Sequence, residues 1–394
     1  MKYNPLSDYA EIKGGKRLPK GLNLSELPTE HPYIRVRDLG SEKTLELNSS
    51  YEYVDNETQK TISRYIVEKD DVVISIVGTI GLVGMIGSSL HGANLTENCA
   101  KIVNISGLDR SFLYYYLASE KGQNAIRAAT VGAVQAKLPL KNIQALPIPE
   151  FSFAEQQTIG EILSSFDARI ANNTKINHNL EQQAQAIFHN YQANGTGDVR
   201  TVADIATINP ETYSEKEGWS YINYLDTSNI TQGAIAQIQT IVPNEEKLPS
   251  RARRKVNAND IVYSTVRPNQ RHFGLIAQPV ENMLVSTGFT VLRSKNDVIC
   301  NEYLYLLLST DAIIEQLQQL AEQSVSTYPS IKPSDIGNLE ILVPVMEEGH
   351  RIRILLEPIF QIIATNQAEN FHLAALRDTL LPKLMSGELS VADI

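Results

Sequence analysis

The sequence predicts an α/β (α+β) protein in which two tandem globular domains are each followed by a long helix. Its 394 residues correspond to two or three domains at roughly 100 to 200 residues per domain. A heptad pattern of apolar residues occurs twice along the chain, and the segments that precede it also occur twice. The chain is therefore expected to be one structural unit built twice.

The two heptad patterns coincide after a shift of 193 residues. From Ile159 to Tyr191 the pattern advances in alternating steps of four and three residues, which is typical of a paired helix. Of ten seam positions, seven are apolar in both copies and two are Asn in both. The seam residues are Ile159, Leu163, Phe166, Ile170, Asn173, Asn177 and Leu180 in the first copy, and Ile352, Leu356, Ile363, Asn366, Asn370 and Leu373 in the second. We expect the two helices to pair as an antiparallel coiled coil with pseudo-twofold symmetry.

Polar residues and a proline interrupt the seam. Asn173, Asn177, Asn366 and Asn370 are expected near its middle, where buried polar pairs can specify the register at some cost in stability. A water-lined gap is the alternative interpretation. Pro358 is expected to kink or split the second helix, because proline lacks the backbone N–H and clashes with the preceding turn.

The globular segments repeat as well, with offsets that indicate insertions in loops. The matching pairs are Leu6–Ile12 with Val202–Ile208, Tyr33–Ile34 with Tyr221–Ile222, Val67–Ser75 with Val256–Ser264, and Phe112–Leu117 with Tyr303–Leu308. The tyrosines of the last pair recur on predicted helices, so we expect them to pack in the cores. The uncharged segment Val72–Thr96 is expected to form buried strands joined by glycine turns rather than a membrane span.

The composition limits the kinds of function. The chain has 35 Lys and Arg against 45 Asp and Glu, a formal net charge of -10, so a uniformly basic surface for nucleic acid is not expected. The two cysteines, Cys99 and Cys300, lie far apart and outside any metal-ligand spacing, which fits a reducing cytosol. We find no signal peptide and predict a cytoplasmic protein.

Positive charge is concentrated locally. The segment Lys247–Arg271 holds seven Lys or Arg and one acid, Asp260, a net charge of +6 that leaves -16 for the rest of the chain. A smaller basic cluster runs from Ile12 to Lys20. Such clusters neutralise phosphates, and Arg and Asn pair with base edges; a solvated charged face is the alternative. The loop after the matching strands is Gly-rich at Ile76–Gly81 and basic at Thr265–Arg271.

Sequence signatures of catalysis are missing. The chain contains no Gly-x-x-x-x-Gly-Lys, Gly-x-Gly-x-x-Gly, His-Glu-x-x-His or Gly-x-Ser-x-Gly motif. It has no Pro-Pro dipeptide, and its seven histidines show no ligand spacing. We therefore expect a protein that is not an enzyme and that binds no metal.

Three segments carry a family resemblance. They are Leu376–Leu389, Leu146–Pro149 with the following Glu155–Ile159, and Thr265–Asn269. Together with the duplicated architecture, they resemble the specificity subunit of type I restriction-modification enzymes over nearly the whole chain. The first of them resembles the C-terminal conserved region of that family.

The resemblance implies a division of the chain and a set of partners. Residues 1–150 and 196–344 would be two target-recognition domains, each reading one half of a bipartite DNA sequence. Residues 151–195 and 345–394 would be conserved helical spacers. Two methyltransferase subunits and restriction/translocase subunits would join the chain, which would have no membrane contact. S-adenosylmethionine, ATP and magnesium would belong to those partners, with no cofactor in this chain.

The resemblance and the basic clusters together predict contacts with double-stranded DNA. The candidate residues are Lys16, Arg17, Lys20, Arg35, Arg37, Thr79 and Lys137 in the first domain, and Arg251, Arg253, Arg254, Lys255, Arg267, Asn269, Arg271 and Tyr328 in the second. One alternative is a protein-binding coiled-coil scaffold without DNA specificity. Another is a fused methyltransferase, which the missing Pro-Pro-aromatic motif disfavours.

Overall fold

The computed structural model describes residues 2–40, 42–132, 135–295, 299–323 and 329–391, which fall into two compact units. Unit 1 contains the residues up to Ala171 and those from Phe371 onward, and unit 2 contains Asn172–Asn370. Both boundaries between the units fall inside long helices. The domain limits at residues 150, 195 and 344 therefore stay a prediction.

Unit 1 is an α+β structure. Its strands are β1 (Tyr3–Pro5), β2 (Glu11–Gly14), β3 (Pro32–Ile34), β4 (Thr44–Leu45), β5 (Glu52–Tyr53), β6 (Val72–Ser75), β7 (Val83–Ile86), β8 (Asn94–Leu95), β9 (Cys99–Val103) and β10 (Pro147–Pro149). Its helices are α1 (Asn56–Ile62), α2 (Arg110–Ala118), α3 (Glu120–Ala129), α4 (Leu140–Gln144) and the first part of α5 (Phe153–Asn194). In the described residues the strands form sheets of order β2-β9-β6-β7-β4, β5-β3-β8 and β1-β10.

Unit 2 has the same character. Its strands are β11 (Gly197–Thr201), β12 (Ala206–Ile208), β13 (Ile222–Leu225), β14 (Ile230–Thr231), β15 (Ala234–Ile235), β16 (Gln239–Ile241), β17 (Ala252–Lys255), β18 (Asp260–Ser264), β19 (Phe273–Ile276), β20 (Met283–Ser286), β21 (Phe289–Ser294) and β22 (Glu340–Pro344). Its helices are α6 (Val202–Ile205), α7 (Asn301–Leu308), α8 (Asp311–Glu322), α9 (Pro333–Gly337) and most of α10 (Met346–Ser386). The described strands form sheets of order β12-β21-β18-β19, β16-β13-β20-β17, β11-β22 and β14-β15.

The two units repeat one topology. The antiparallel pairs β2·β9, β6·β9 and β6·β7 of unit 1 correspond to β12·β21, β18·β21 and β18·β19 of unit 2. The parallel pairs β3·β8 and β13·β20 also correspond, as do the closing pairs β1·β10 and β11·β22. The repeat in the sequence is therefore a repeat of the fold. The segment Val72–Thr96 forms the strands β6, β7 and β8, as predicted from its apolar residues and glycines.

The central strands are buried on both faces, which explains their continuous apolar runs. In β6, Val72 and Ile74 join a core with the helix residues Phe112 and Tyr116, while Val73 faces a second core on the other side of the sheet. The corresponding strand β18 is divided between two cores in the same way. The helical tyrosines are core residues, as predicted.

Local signals set the ends of the two long helices. Ser152 Oγ accepts a hydrogen bond from the Glu155 N–H at 3.3 Å, and the Glu155 carboxylate accepts one from the Ser152 N–H at 2.8 Å. This capping box starts the 42-residue helix α5. The 41-residue helix α10 ends at Ser386, where Gly387 adopts a left-handed backbone with φ of 69°.

Within unit 1 the two helices pair in antiparallel order. Ile159 and Leu163 of α5 share a buried core with Leu384 and Met385 of α10. One helical turn further along α5, Asp167 accepts a hydrogen bond from the guanidinium of Arg377 at 2.6 Å. The Tyr115 hydroxyl donates to the same carboxylate at 2.5 Å. Unit 1 therefore joins the helices through an apolar layer and an ionic layer.

Within unit 2 the helices also pair in antiparallel order, through asparagines. Asn173 Nδ2 donates to Asn370 Oδ1 at 3.0 Å, and Asn366 Nδ2 donates to Asn177 Oδ1 at 2.8 Å. Asn173 and Asn177 are only 1% and 7% exposed. The asparagines are thus paired directly, so the water-lined gap is the wrong interpretation. An apolar core that includes Ala184, Leu356 and Phe360 continues the pairing.

Pro358 does not split the second helix, because α10 is continuous from Met346 to Ser386. The carbonyl that loses its hydrogen-bond partner belongs to Ile354, four residues earlier. Ile354 is 71% exposed, so water can reach this side of the helix. The cost of the proline is confined to one hydrogen bond, and core residues on the opposite face, such as Leu356 and Phe360, hold the helix together.

Among the described residues, no helix combines the length and apolar character that a membrane crossing requires.

Candidate nucleic-acid interface

In unit 1, loops far apart in the sequence meet at the turn Leu95–Asn98, which we call the first convergence turn. The Lys16 N–H donates to the Leu95 carbonyl at 2.8 Å, and the Thr96 N–H donates to the Ile34 carbonyl at 3.1 Å. The Ile76 N–H donates to the Asn98 carbonyl at 2.8 Å. These bonds place the Lys16–Lys20 loop, the start of the Arg35–Arg37 segment and the Gly-rich loop around one turn.

A second pair of loops extends this arrangement to Thr79 and Lys137. Val131 and Lys137 exchange two backbone hydrogen bonds of 2.8 Å, and Lys137 also forms a β-bridge with Val77. Val77 in turn donates its N–H to Asn98 at 3.3 Å. Thr79 and Lys137 are both exposed. The structure therefore brings the predicted contact loops of the first domain together.

Unit 2 repeats the arrangement at Val285–Gly288, the second convergence turn. The Thr287 N–H donates to the Arg251 carbonyl, and the Thr265 N–H donates to the Gly288 carbonyl, both at 2.8 Å. The loop that follows Thr265 is held to Pro329, whose carbonyl accepts from the Arg267 N–H at 3.0 Å. The basic residues 251–255 and 267–271 thus come from two sides of a turn that corresponds to the first one.

The cations of unit 1 differ in how much of their charge is already compensated. Lys16, Arg17 and Lys20 are exposed, and Arg17 Nε donates to Glu97 Oε1 at 2.7 Å. Lys16 Nζ lies 5.6 Å from the centre of the Tyr65 ring. Arg35 and Arg37 share the Glu52 carboxylate at 2.8 and 2.7 Å. The smaller basic cluster is therefore more open to a ligand than the Arg35–Arg37 segment.

The larger basic segment carries less free charge than its composition indicates. Arg253 pairs with Glu215, Lys255 with Glu217 and Arg271 with Asp311, each at 2.5 Å. These acids lie outside Lys247–Arg271, whereas Asp260 inside it is buried and binds Arg293. The net charge of +6 along the sequence is thus not the charge of the folded surface, because partners distant in sequence neutralise three of the seven cations.

The remaining candidates of unit 2 lie in different surroundings. Arg251 and Asn269 are exposed. Arg254 is half-buried, its Nε has no hydrogen-bond partner among the described residues, and burial lowers the pKa of its guanidinium. Arg267 lies at the base of its loop with a left-handed backbone, φ 48°. Tyr328 lies outside the described residues.

The predicted seam residues lie along the helix pair within the two units. Fully or nearly buried are Ile159, Leu163, Asn173, Asn177, Ile352, Leu356 and Ile363. Partly buried are Phe166, Ile170, Leu180, Asn366, Asn370 and Leu373. The seam is therefore buried at some positions and partly accessible to solvent at others.

Side chains of the types that ligate metals do not cluster in the described part of the chain. That part contains no group of three or more His, Cys, Asp or Glu side chains placed to hold a metal ion. Cys99 and Cys300 are free and buried, and burial raises the pKa of each thiol to about 12.

The family model for the type I restriction modification DNA specificity domain matches residues 1–182 and 195–373. The chain belongs to this family. Two such specificity domains follow each other along it, and each match ends within a long helix. The predicted resemblance is thereby confirmed, and both convergence turns lie within the matched residues.

Individual relatives agree with the family assignment. The chain is 22% identical over 420 residues to the type I restriction enzyme MjaIX specificity subunit of Methanocaldococcus jannaschii, which covers 99% of this chain and 93% of that protein. It is 27% identical over 139 residues to the HindI specificity subunit of Haemophilus influenzae, across 35% of this chain and 30% of that protein. These relatives are specificity subunits, as the sequence motifs predict for this chain.

A solved structure confirms the fold class. The structure of the S subunit of a type I restriction-modification system from M. genitalium matches with a TM-score of 0.61 at 16% identity, over 97% of this chain and 95% of that one. At this identity the likeness concerns the fold. It supports tandem α/β specificity domains, each followed by a long helix.

Sequence reasoning missed the residues at the tips of the convergence turns, Glu97 and Thr287. Neither lies in a basic cluster or a recognised motif, so composition did not single them out. The signal that could have found them is the internal repeat, because aligning the strand pairs β8·β3 and β20·β13 places the two turns at corresponding positions.

Proposed function

We propose that this chain is the DNA-reading subunit of a type I restriction-modification complex and recognises a bipartite target in double-stranded DNA. Each specificity domain would read one half-site. The observation that carries the proposal is the pair of corresponding convergence turns, each bordered by loops with candidate cations, of which Lys16, Arg17 and Arg251 are exposed. Exposed Arg and Lys neutralise phosphates, and polar side chains between them can reach base edges.

We also propose that the chain is not an enzyme and acts through partners. Two methyltransferase subunits and restriction/translocase subunits would supply catalysis, together with S-adenosylmethionine, ATP and magnesium. Because its proposed target is DNA, we place its action in the cytoplasm. The absence of catalytic motifs from the sequence supports this division of labour.

An exposed apolar face on α10 supports docking of a partner protein. Ile354, Leu355 and Ile362 are 71%, 46% and 48% exposed, and their spacing places them on one side of the helix next to Pro358. Contiguous exposed apolar residues mark protein interfaces.

We expect Ile354→Glu/Ile362→Glu to abolish co-purification of the methyltransferase. Ala368→Glu, which adds a carboxylate at an exposed position further along the same helix, should retain it. If the double variant co-purifies with as much methyltransferase as the wild type, this face of α10 is not the docking surface.

Long-read methylation mapping tests the proposed function. DNA from cells that express the chain with its cognate methyltransferase is compared with DNA from cells that lack only this chain. A split methylation motif that appears only with the chain is the expected result. Methylation that persists unchanged without the chain would assign recognition to another subunit and favour a protein-binding scaffold.

A further inference from the structure

The inference concerns the tip of the first convergence turn and rests on the proposed function. We propose that Glu97 determines specificity by accepting a hydrogen bond from the exocyclic amino group of a base in the half-site read by unit 1, and that Thr287 occupies the equivalent reading position in unit 2.

Glu97 belongs to the turn that the predicted contact loops of unit 1 share. The Lys16–Lys20 loop, the residues after β3 and the Gly-rich loop are all hydrogen-bonded to Leu95–Asn98. A DNA duplex that contacts these loops must approach the turn that they share. Glu97 follows the buried Thr96 and is half-buried itself, with its side chain 29% exposed. Its side chain therefore belongs to the part of unit 1 that a duplex bound by these loops would approach.

The charge of Glu97 is opposite to that of the neighbouring candidate residues. The neighbouring candidates Lys16, Arg17 and Lys20 suit phosphates, whereas a carboxylate repels them. In the major groove, only the amino groups of cytosine and adenine offer hydrogen-bond donors on base edges. If Glu97 touches DNA, its partner is therefore an amino group, and cytosine N4 is the usual donor to a carboxylate.

Two hydrogen bonds hold the Glu97 carboxylate in place. Arg17 Nε donates to Glu97 Oε1 at 2.7 Å, and Thr96 Oγ1 donates to Oε2 at 3.1 Å. Burial raises the pKa of the Glu97 carboxyl, but these hydrogen bonds outweigh it and hold the pKa below its usual value. The carboxylate is thus charged and oriented while lone pairs remain open. Since the Arg17 side chain is 81% exposed, the ion pair adds little stability and does not itself account for the arrangement.

The second convergence turn, in unit 2, repeats the framework of the first. Thr96 and Ser286 correspond, and both place a buried hydroxyl residue at the start of the turn. The next position changes from Glu97 to Thr287, which is exposed and whose N–H is bound to Arg251. The fold therefore preserves the framework of the turn and lets the tip vary in hydrogen-bonding chemistry. Such variation is what two domains need in order to read different half-sites.

The test uses Glu97→Gln in the full chain, assembled with its cognate methyltransferase, and long-read mapping of the methylated motif. An amide donates as well as accepts, and glutamine pairs with adenine. We expect the preference at one base pair of one half-site to fall by roughly five- to a hundredfold, the range for a good base contact. A lost cytosine or a lost adenine identifies which amino group was read. Thr287→Ala should alter a base pair in the other half-site only.

Glu11→Gln is the matched control, because Glu11 also pairs with a cation, Lys13 at 3.0 Å, but at the opposite end of β2 from the turn. Its motif should equal that of the wild type. A wild-type complex without any split motif would refute the proposed function. Two results with Glu97→Gln would overturn the proposal for Glu97 and leave the proposed function intact. The variant could methylate the same motif as the wild type, or its methylation could fall equally at all sequences.

Glu97→Asp keeps the inference testable if the glutamine variant does not fold, which its thermal unfolding would reveal. Aspartate retains the carboxylate on a shorter side chain. We expect the same base preference with slower methylation. An aspartate variant that is folded but reads a different base at that position would contradict a carboxylate-to-amino contact.

Discussion

Gly15 determines how closely the Lys16–Lys20 loop approaches the first convergence turn. A Cβ atom on this residue would lie 2.0 Å from the Thr96 carbonyl oxygen and 2.4 Å from that of Leu95. Both are backbone atoms that cannot rotate away. The missing side chain therefore allows the hydrogen bond from Lys16 to Leu95 that holds the loop in place.

We predict that Gly15→Ala lowers the free energy of unfolding by roughly 1 to 3 kcal/mol, the usual cost of overpacking, and weakens DNA recognition in one half-site. Gly14→Ala is the control, since its nearest neighbour would be Leu140 Cδ1 at an ordinary 3.5 Å. Chemical denaturation and methylation mapping measure the two effects. Equal stability of both variants would show that the loop can move away from the turn without cost.

Arg267 combines a candidate DNA contact with an unusual backbone. Its φ of 48° lies in the left-handed region, which disfavours side chains other than glycine. Removing its side chain should relax specificity in one half-site by about 1 to 3 kcal/mol if it contacts a base. A loss of binding that is uniform over all sequences would make it a phosphate contact.

Two substitutions separate this contact from the backbone strain. Arg267→Ala retains the strained backbone, whereas Arg267→Gly removes both the side chain and the strain. We predict equal loss of specificity in both, with the glycine variant more stable by up to about 1 kcal/mol. Thermal unfolding compares the stabilities, and a less stable glycine variant would show that the loop is not strained.

At the level of elements, the helix pair uses a different layer at corresponding positions of the two units. In unit 1, Asp167 binds Arg377, whereas the residues 193 positions away, Phe360 and Ala184, belong to the apolar core of unit 2. The asparagine layers differ from this, because the shift of 193 residues exchanges the pair Asn173–Asn370 with the pair Asn177–Asn366. The ionic layer is therefore one feature in which corresponding positions of the two units differ.

A double-mutant cycle tests this layer. Asp167→Ala or Arg377→Ala alone should lower the free energy of unfolding by roughly 2 kcal/mol, because each removes the charged partner of a partly buried group across the helix pair. The double variant should lose less than the sum of the two. Asp378→Ala, which removes only the more exposed partner of Arg377, should change stability little. Strict additivity of the two single losses would exclude an energetic coupling.

At the level of the whole molecule, the helices are proposed to set the number of unread base pairs between the half-sites. We predict that one heptad added to both α5 and α10, which preserves the seam, lengthens this spacer. Both half-sites should remain unchanged, because the specificity domains are not altered. Methylation mapping reads the spacer directly, and an unchanged spacer in a folded variant would refute the measuring role of the helices.

The features predicted correctly from the sequence depend on residues that lie close together along the chain. The heptad seam and the repeated strands are encoded by neighbouring residues. The electrostatics of the site could not be predicted in this way. Glu215 and Glu217 neutralise Arg253 and Lys255 across 38 residues, and Glu97 meets Arg17 across 80. Counting charges along a segment cannot anticipate such pairs.

Periodicity and repeats along the chain predict a duplicated α/β protein with two paired helices, and its motifs resemble those of a DNA specificity subunit. These patterns can be recognised without knowing which residues meet in space. Which loops meet depends on the folded chain. Backbone hydrogen bonds between segments far apart in the chain build the convergence turns, and chain folding alone brings Glu97 next to Arg17 of the smaller basic cluster. The continuity of α10 through Pro358 was likewise decided by packing, which outweighs the loss of one hydrogen bond.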